Sequence, residues 1–342
     1  IENLEILLKD EPSFRLKQAY IALFNKNIKT WQSVTEFSKV LRDFLDREIP
    51  INFDFDAINI FDENTFKAKI MLYDGLFVET VLLCHNDNRI TVCVSSQAGC
   101  PMGCLFCRTA RAGFKRNLSK FEIIKQMLFF KYFLKYGFKY NSENSLPILD
   151  KISNVVFMGM GEPLLNYDSV LSAIKILNNP LYFNIGARKI SISTCGIVEG
   201  IKKLSREKLQ INLAISLNAP EDELREKLMP VNKKYPLKVL IPAVKEYILK
   251  TNRRVMFEYV LISGLNDSIM HAEKLSNLLK GLMCFVNLIP YNGSGKLYPP
   301  DKRVINQFKQ ILTDNKISVT QRYKFGSNIN AACGQLVYTD NI

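Results

Sequence analysis

From residue 90 onward, short apolar runs alternate with stretches of helical periodicity, and this rhythm constrains the fold more than any other feature of the chain. The runs are ITVCVS, NVVFMG, KISIST, INLAIS, VMFEYVLIS and CFVNLIP. The helical stretches include LSKFEIIKQMLFFKYFL, SVLSAIKIL, GIVEGIKKL, LKVLIPAVKEYIL, SIMHAEKLSNLLK and RVINQFKQIL. A strand followed by a helix and another strand pairs in parallel, and functional groups then gather at the strands' C-terminal ends. Six such units fall short of a closed eight-fold barrel. The expectation is therefore an α/β fold, an open partial (β/α)6 barrel whose wide mouth admits a large substrate. A doubly wound sheet shares the same alternation and stays open at this point.

The first part of the chain reads differently. Residues 1–48 carry amphipathic helical patterns, such as Phe37, Val40, Leu41 and Phe44. FKAKIMLYDGLFVETVLL then reads as a β-hairpin turning at Asp74-Gly75. Residues 1–85 are expected to form a small helical and hairpin accessory domain, and residues 86–342 the core.

The formal net charge of +13 admits two readings, a solvated lysine-rich surface or a polyanionic partner. Arg108, Arg111, Lys115 and Arg116, directly after a cysteine cluster, favour RNA; Arg188 and Lys189 are further candidate phosphate contacts. The chain has no run of eighteen apolar residues and no basic-then-apolar leader pattern at its start, so neither a membrane span nor secretion is expected, and the expected location is cytoplasmic. Eight cysteines in a reducing compartment point to metal binding or chemistry rather than a disulfide scaffold.

Three of them form Cys100-Pro-Met-Gly-Cys104-Leu-Phe-Cys107, placed after the first strand of the alternating region. Three thiolates at this spacing can hold three irons of a [4Fe–4S] cluster, leaving one iron open to a small molecule. Zinc competes, but a closed zinc site needs four ligands. The chain has no second CxxC, and its histidines are only His85 and His271. Three unrelated buried cysteines are the blandest alternative.

The CxxxCxxC spacing, with Phe106 before the third cysteine, resembles the radical S-adenosylmethionine (SAM) superfamily. The resemblance sharpens from about Glu79 to Leu336, through CVSSQ, FCRTARAGFKRNL, MGMGEPLLN, SLNAP, MPVNKKYP, NLIPYN and AACGQL. These segments look like the RlmN/Cfr-type adenosine methyltransferases. The family implies a radical SAM barrel, a [4Fe–4S] cluster on Cys100, Cys104 and Cys107, and two SAM molecules per turnover. It implies methylation of adenine C2 in 23S rRNA and tRNA, with Cys333 carrying the methyl group and joining the RNA covalently. Cys93 then takes the C2 proton and resolves the adduct, forming a disulfide with Cys333. Taken alone, each of these two cysteines would read as a small buried hydrophobe; their CVSSQ and AACGQ settings reverse that reading.

By the same resemblance, Gly161, Glu162, Ser193, Ser216, Leu217, Asn218 and Asn292 are the SAM contacts. Asn218 stands where many relatives carry His. Glu79 occupies the position of a possible proton acceptor, or equally an exposed strand face. Pro163 and Pro290 look more like the C2 branch than the C8 branch that confers antibiotic resistance. A zinc-stapled, non-catalytic RNA-binding protein is the alternative from another class. An electron donor such as flavodoxin or ferredoxin, and a monomeric state, complete the expectations.

Overall fold

A computed structural model describes residues 3–52, 58–62, 64–137, 151–292, 297–322 and 331–337. The N-terminal part holds three helices, α1 (Leu4–Leu7), α2 (Ser13–Ile21) and α3 (Lys39–Glu48). An antiparallel ladder follows, of β1 (Ile58–Asp62), β2 (Thr65–Met71) and β3 (Phe77–Cys84). The β2–β3 turn closes at Asp74-Gly75, where Gly75 takes φ +81°, a left-handed conformation that costs glycine nothing. Only β1 goes beyond the two strands read from the sequence.

β3 pairs antiparallel with β4 (Ile90–Cys93), so the hairpin and the core share one continuous sheet. After β4 the chain leaves the sheet to build a small ribbon, β5 (Gln97–Gly99) with β6 (Phe114–Asn117). Between these lie the cysteine segment and a short helix, α4 (Arg108–Arg111). Helix α5 (Lys120–Tyr132) begins in a capping box, Ser119 and Glu122 each satisfying the other's backbone N–H. Its faces are buried nearly all round because the N-terminal helices cover the side that would otherwise meet water. The Tyr20 and Phe121 rings meet at a tilt with centroids 6.0 Å apart, and the Tyr132 hydroxyl donates to the Ile28 carbonyl at 2.6 Å.

The parallel run then proceeds through β7 (Asn154–Phe157), α6 (Tyr167–Asn178), β8 (Ile190–Thr194), α7 (Val198–Leu204) and β9 (Asn212–Ser216). It continues with α8 (Asp222–Leu228), α9 (Leu237–Thr251), β10 (Val255–Leu261), α10 (Ile269–Leu279), β11 (Cys284–Pro290), α11 (Lys302–Asp314) and β12 (Val319–Gln321). All six expected strands are present, joined in the order β4-β7-β8-β9-β10-β11, with β12 added in parallel. β1 and β12 are the two edges of this ten-stranded sheet, so the curved parallel part is an open, partial barrel rather than a closed one. In β10, Val255, Phe257, Tyr259 and Leu261 share one face and are fully buried, Tyr259 against Phe308 of α11, while Glu258 on the other face lines the cleft.

Candidate active site

The cysteine segment is held in shape by backbone contacts that only glycine permits. Gly99 has φ +76°, and a Cβ there would lie 2.0 Å from the Gly113 carbonyl oxygen. The closeness lets the Cys100 N–H donate to that same carbonyl at 2.8 Å. The Leu105 N–H is fixed to the Leu228 carbonyl at 2.9 Å, tying the segment to the end of α8.

Cys100, Cys104 and Cys107 line an open cleft of about 970 Å³ at the C-terminal ends of the parallel strands. Gly159 and Gly161 after β7, Ser193 on β8, Ser216 on β9, Glu258 on β10 and Asn292 after β11 form the opposite wall. This is where a parallel sheet places its ligand. Among the described residues, Glu258 Oε1 and Asn292 Oδ1 are buried there without a hydrogen-bond partner. Such atoms are costly unless a ligand donor meets them. Three thiols and two unpaired acceptors therefore fit a cluster and a polar small molecule side by side. Burial pushes the Cys100 thiol up to about 12 and raises Cys104 further, so both need a positive metal centre to ionise. His85 contacts Thr91, and His271 lies in the first turn of α10, where Ser268 caps the helix by accepting from the His271 N–H at 3.3 Å; neither histidine lines the cleft. Among the described residues no three His, Cys, Asp or Glu side chains converge on a single ion.

The other expected SAM contacts divide between ligand-facing and structural positions. Gly161, at φ +99°, sits so close to Gln97 that a Cβ would approach its side chain to 2.5 Å. Glu162 is buried and raised by that burial, its carboxylate accepting from the Cys195 N–H at 2.7 Å and the Leu164 N–H at 3.0 Å. Ser193 donates to Glu258. Leu217 is fully buried, outside the lining of the cleft, and offers its backbone: its N–H donates to the Glu258 carbonyl at 3.0 Å. Asn218 takes φ +59°, a region Asn tolerates far better than most residues. Its Oδ1 accepts from the Val260 N–H at 2.8 Å, so its amide braces β9 against β10.

Cys333 lies where this cleft meets a second, smaller cavity, and Cys93 lines that second cavity. Met158, Asn292 and Leu336 are shared by both. Residues 331–337 lie across the cysteine segment through several bonds. The Arg108 N–H donates to the Gly334 carbonyl at 2.8 Å, and the Thr109 hydroxyl donates to the Leu336 carbonyl at 2.6 Å. Glu79 belongs to this fastening. It pairs with Lys67 at 3.0 Å and accepts from the Val337 N–H at 2.9 Å, outside the lining of either cavity. The Cys93 thiol is pushed up to about 12 by burial and by the neighbouring Cys333. All eight cysteines are free, so the expected Cys93–Cys333 disulfide is absent from this structure.

Three site residues escaped the sequence reading. Arg322 donates from Nη1 to Cys333 Sγ at 2.9 Å. Glu258 stands opposite it, and Arg225 lies fully buried behind the wall. Arg225 donates to the Cys195 carbonyl at 2.7 Å, the Leu217 carbonyl at 3.1 Å and Asn232 Oδ1 at 2.8 Å, fastening the loops after β8 and β9 to each other. Arg225→Met should destabilise the fold by about 3 kcal/mol, because buried acceptors lose their donors. Urea unfolding of wild type and variant measures this directly. Three expected phosphate contacts sit elsewhere. Arg116 is held between Asp74 and Glu122, joining the hairpin turn to α5. Arg188 and Lys189 precede β8 and so lie at the end of the barrel opposite the cleft.

Comparison with known proteins adds a consistent result. Residues 94–275 match the Radical SAM superfamily. A probable dual-specificity RNA methyltransferase RlmN of Dictyoglomus thermophilum is 45% identical over 334 residues, covering 95% of this chain and 91% of that protein. The RlmN 2 protein of Protochlamydia amoebophila is 43% identical over 330 residues, covering 95% and 89%. The crystal structure of a radical SAM methyltransferase from Sphaerobacter thermophilus aligns with a TM-score of 0.86 at 38% identity, covering 97% of this chain and 96% of the other.

Proposed function

Because the chain belongs to the radical SAM superfamily, and within it to the RlmN family of RNA methyltransferases, we propose that it methylates adenine C2 in 23S rRNA and tRNA. Membership implies a [4Fe–4S] cluster and SAM. Cys100, Cys104 and Cys107 would hold the cluster, and the groups at the strand ends, from Gly161 and Glu162 to Asn292, would meet SAM. When bound, the pair supplies a 5′-deoxyadenosyl radical, and a further SAM supplies the methyl group. That chemistry has a physical rationale: C2 of adenine is electron-poor and does not attack a sulfonium methyl group.

The chain's own part falls to Cys333 and Cys93. Cys333 accepts the methyl group on sulfur, gives up one hydrogen atom from it and bonds through the remaining carbon to C2. Cys93 takes the C2 proton while the adduct gives up one electron, which the cluster would accept. The Cys93 sulfur then attacks the Cys333 sulfur, its proton passing to the departing methylene carbon, so that the product leaves as the disulfide forms. The observation that carries this reading is the position of Cys333 on the wall shared by the two cavities, one lined by the cluster cysteines and the other by Cys93. The bonds of Glu79 to Lys67 and Val337 favour an anchoring role for it over proton transfer. Arg108, Arg111, Lys115 and the unit of residues 1–85 would grip the RNA. A flavodoxin or ferredoxin would supply electrons to a cytoplasmic monomer.

Anaerobic reconstitution with iron and sulfide, then incubation with SAM, reductant and a ribosomal RNA fragment, tests the reading by nucleoside mass spectrometry. 2-Methyladenosine is expected. 8-Methyladenosine would move the enzyme to the C8 branch, and 5′-deoxyadenosine without a methylated nucleoside would remove RNA as substrate.

A further inference from the structure

We propose that Arg322 is a positioning residue for the first methyl transfer, its guanidinium holding the Cys333 sulfur as a thiolate at the junction of the two cavities. The proposal rests on the reading of Cys333 as methyl carrier. Arg322 follows β12, and its N–H donates to the Leu288 carbonyl at 2.9 Å, so the base of the side chain is fixed to the barrel. Its fork reaches Cys333 Sγ at 2.9 Å through Nη1 and Met158 Sδ at 3.2 Å through Nη2. The Glu258 carboxylate lies 3.8 Å from Nη1, and its Oε1 makes no hydrogen bond among the described residues. The guanidinium is therefore shared between two potential anions and hydrogen-bonded to only one of them.

The chemistry requires such a partner. A thiol is a poor nucleophile, and a cation facing the sulfur favours the thiolate that attacks. Burial, with Glu258 from β10 and Cys107 from the cysteine segment, raises the Cys333 thiol, Cys93 from β4 lines the adjoining cavity, and Arg322 is the group that works against the rise and favours the anion. Guanidinium suits the place because it stays charged throughout the accessible pH range and is weakly hydrated.

In the transfer, the Cys333 sulfur forms the new S–C bond with its own electron pair. The sulfonium S–C bond of the donor breaks, and that pair stays on the departing sulfur. Thiolate and sulfonium charges vanish together, leaving a thioether on each side. Arg322 then has Glu258 as its one remaining anionic neighbour among these groups. The grip on residue 333 slackens once the methyl group is in place, which frees the methylated side chain to turn toward the cleft.

The test compares alkylation of Cys333 by iodoacetamide, which is neutral, and iodoacetate, which is anionic. It uses the full-length, cluster-reconstituted protein without SAM and follows the unmethylated Cys333 peptide by mass spectrometry. Arg322→Gln should slow iodoacetamide on the order of tenfold near pH 8 and lower the iodoacetate-to-iodoacetamide ratio. Arg322→Lys should keep the ratio above that of Arg322→Gln, and Glu258→Gln should raise it. An unchanged ratio in Arg322→Gln, including one in which both rates rise together, would report only a loosened loop and overturn the proposal. Should Arg322→Gln not fold, Glu258→Gln carries the comparison, since its ratio must rise above wild type, and an unchanged or lowered ratio would overturn the proposal. Failure of the carrier reading shows separately, as no S-methylcysteine at position 333 after incubation of wild type with SAM.

Discussion

Cys333→Ala yields no methylated RNA, a fall on the order of 10⁴-fold or more, comparable with the loss of a covalent nucleophile. The same variant keeps its iron and still cleaves SAM to 5′-deoxyadenosine. The separation follows from position. Cys333 sits on the rim of the cleft in residues 331–337, while Cys100, Cys104 and Cys107 are held by the β5–β6 ribbon and α8. Removing a sulfur at an exposed position leaves no core cavity, so unfolding should shift by no more than about 0.5 kcal/mol. Iron content, absorbance near 400 nm (roughly), as iron–thiolate bonds give, and nucleoside analysis on one preparation check all three statements. Methylation at a wild-type rate would end the role of Cys333 as carrier.

Cys93→Ala makes RNA that stays attached to protein. The methyl carrier is intact, so bond formation to C2 proceeds, but no group remains in the smaller cavity to take the proton and break the link. About one RNA per chain should migrate with the protein on a denaturing gel after a single turnover, with free product falling by a factor on the order of 10² or more, as for loss of a general base. Nuclease digestion and peptide mass spectrometry should then find an adenosine on Cys333. Free 2-methyladenosine from this variant would remove Cys93 from the reaction. Together the two variants bracket the cycle, one stopping it before the covalent bond and the other after it.

Much of this was legible in the sequence because its signals are local. A cysteine spacing, six apolar runs and a turn at Asp74-Gly75 depend on neighbours a few residues away, and each of those elements stands in the structure. The ribbon of β5 and β6 was not visible, since three residues paired with four leave no alternation to read. β12 was missed for the same reason. The side chains of Arg225, Glu258 and Arg322 look like ordinary surface charges in sequence. Their meaning comes from partners outside their own elements, such as Cys195 for Arg225, Cys333 for Glu258 and, for Arg322, Met158 across 164 positions. Arg116 shows the converse. It stands among the basic residues that suggest RNA, yet two carboxylates already hold it.

The fastening of residues 331–337 has a consequence for the order in which the site comes into being. Thr109 bonds Leu336 across 227 positions, and Glu79 meets Val337 across 258. Contacts this distant are the last to be made during synthesis and the slowest to form on refolding, because the intervening loop must close first. On the proposed function, the half of the site that would hold the cluster is thus assembled before Cys333 arrives. A chain interrupted after β11 would then carry the means to start the reaction and nothing to direct it.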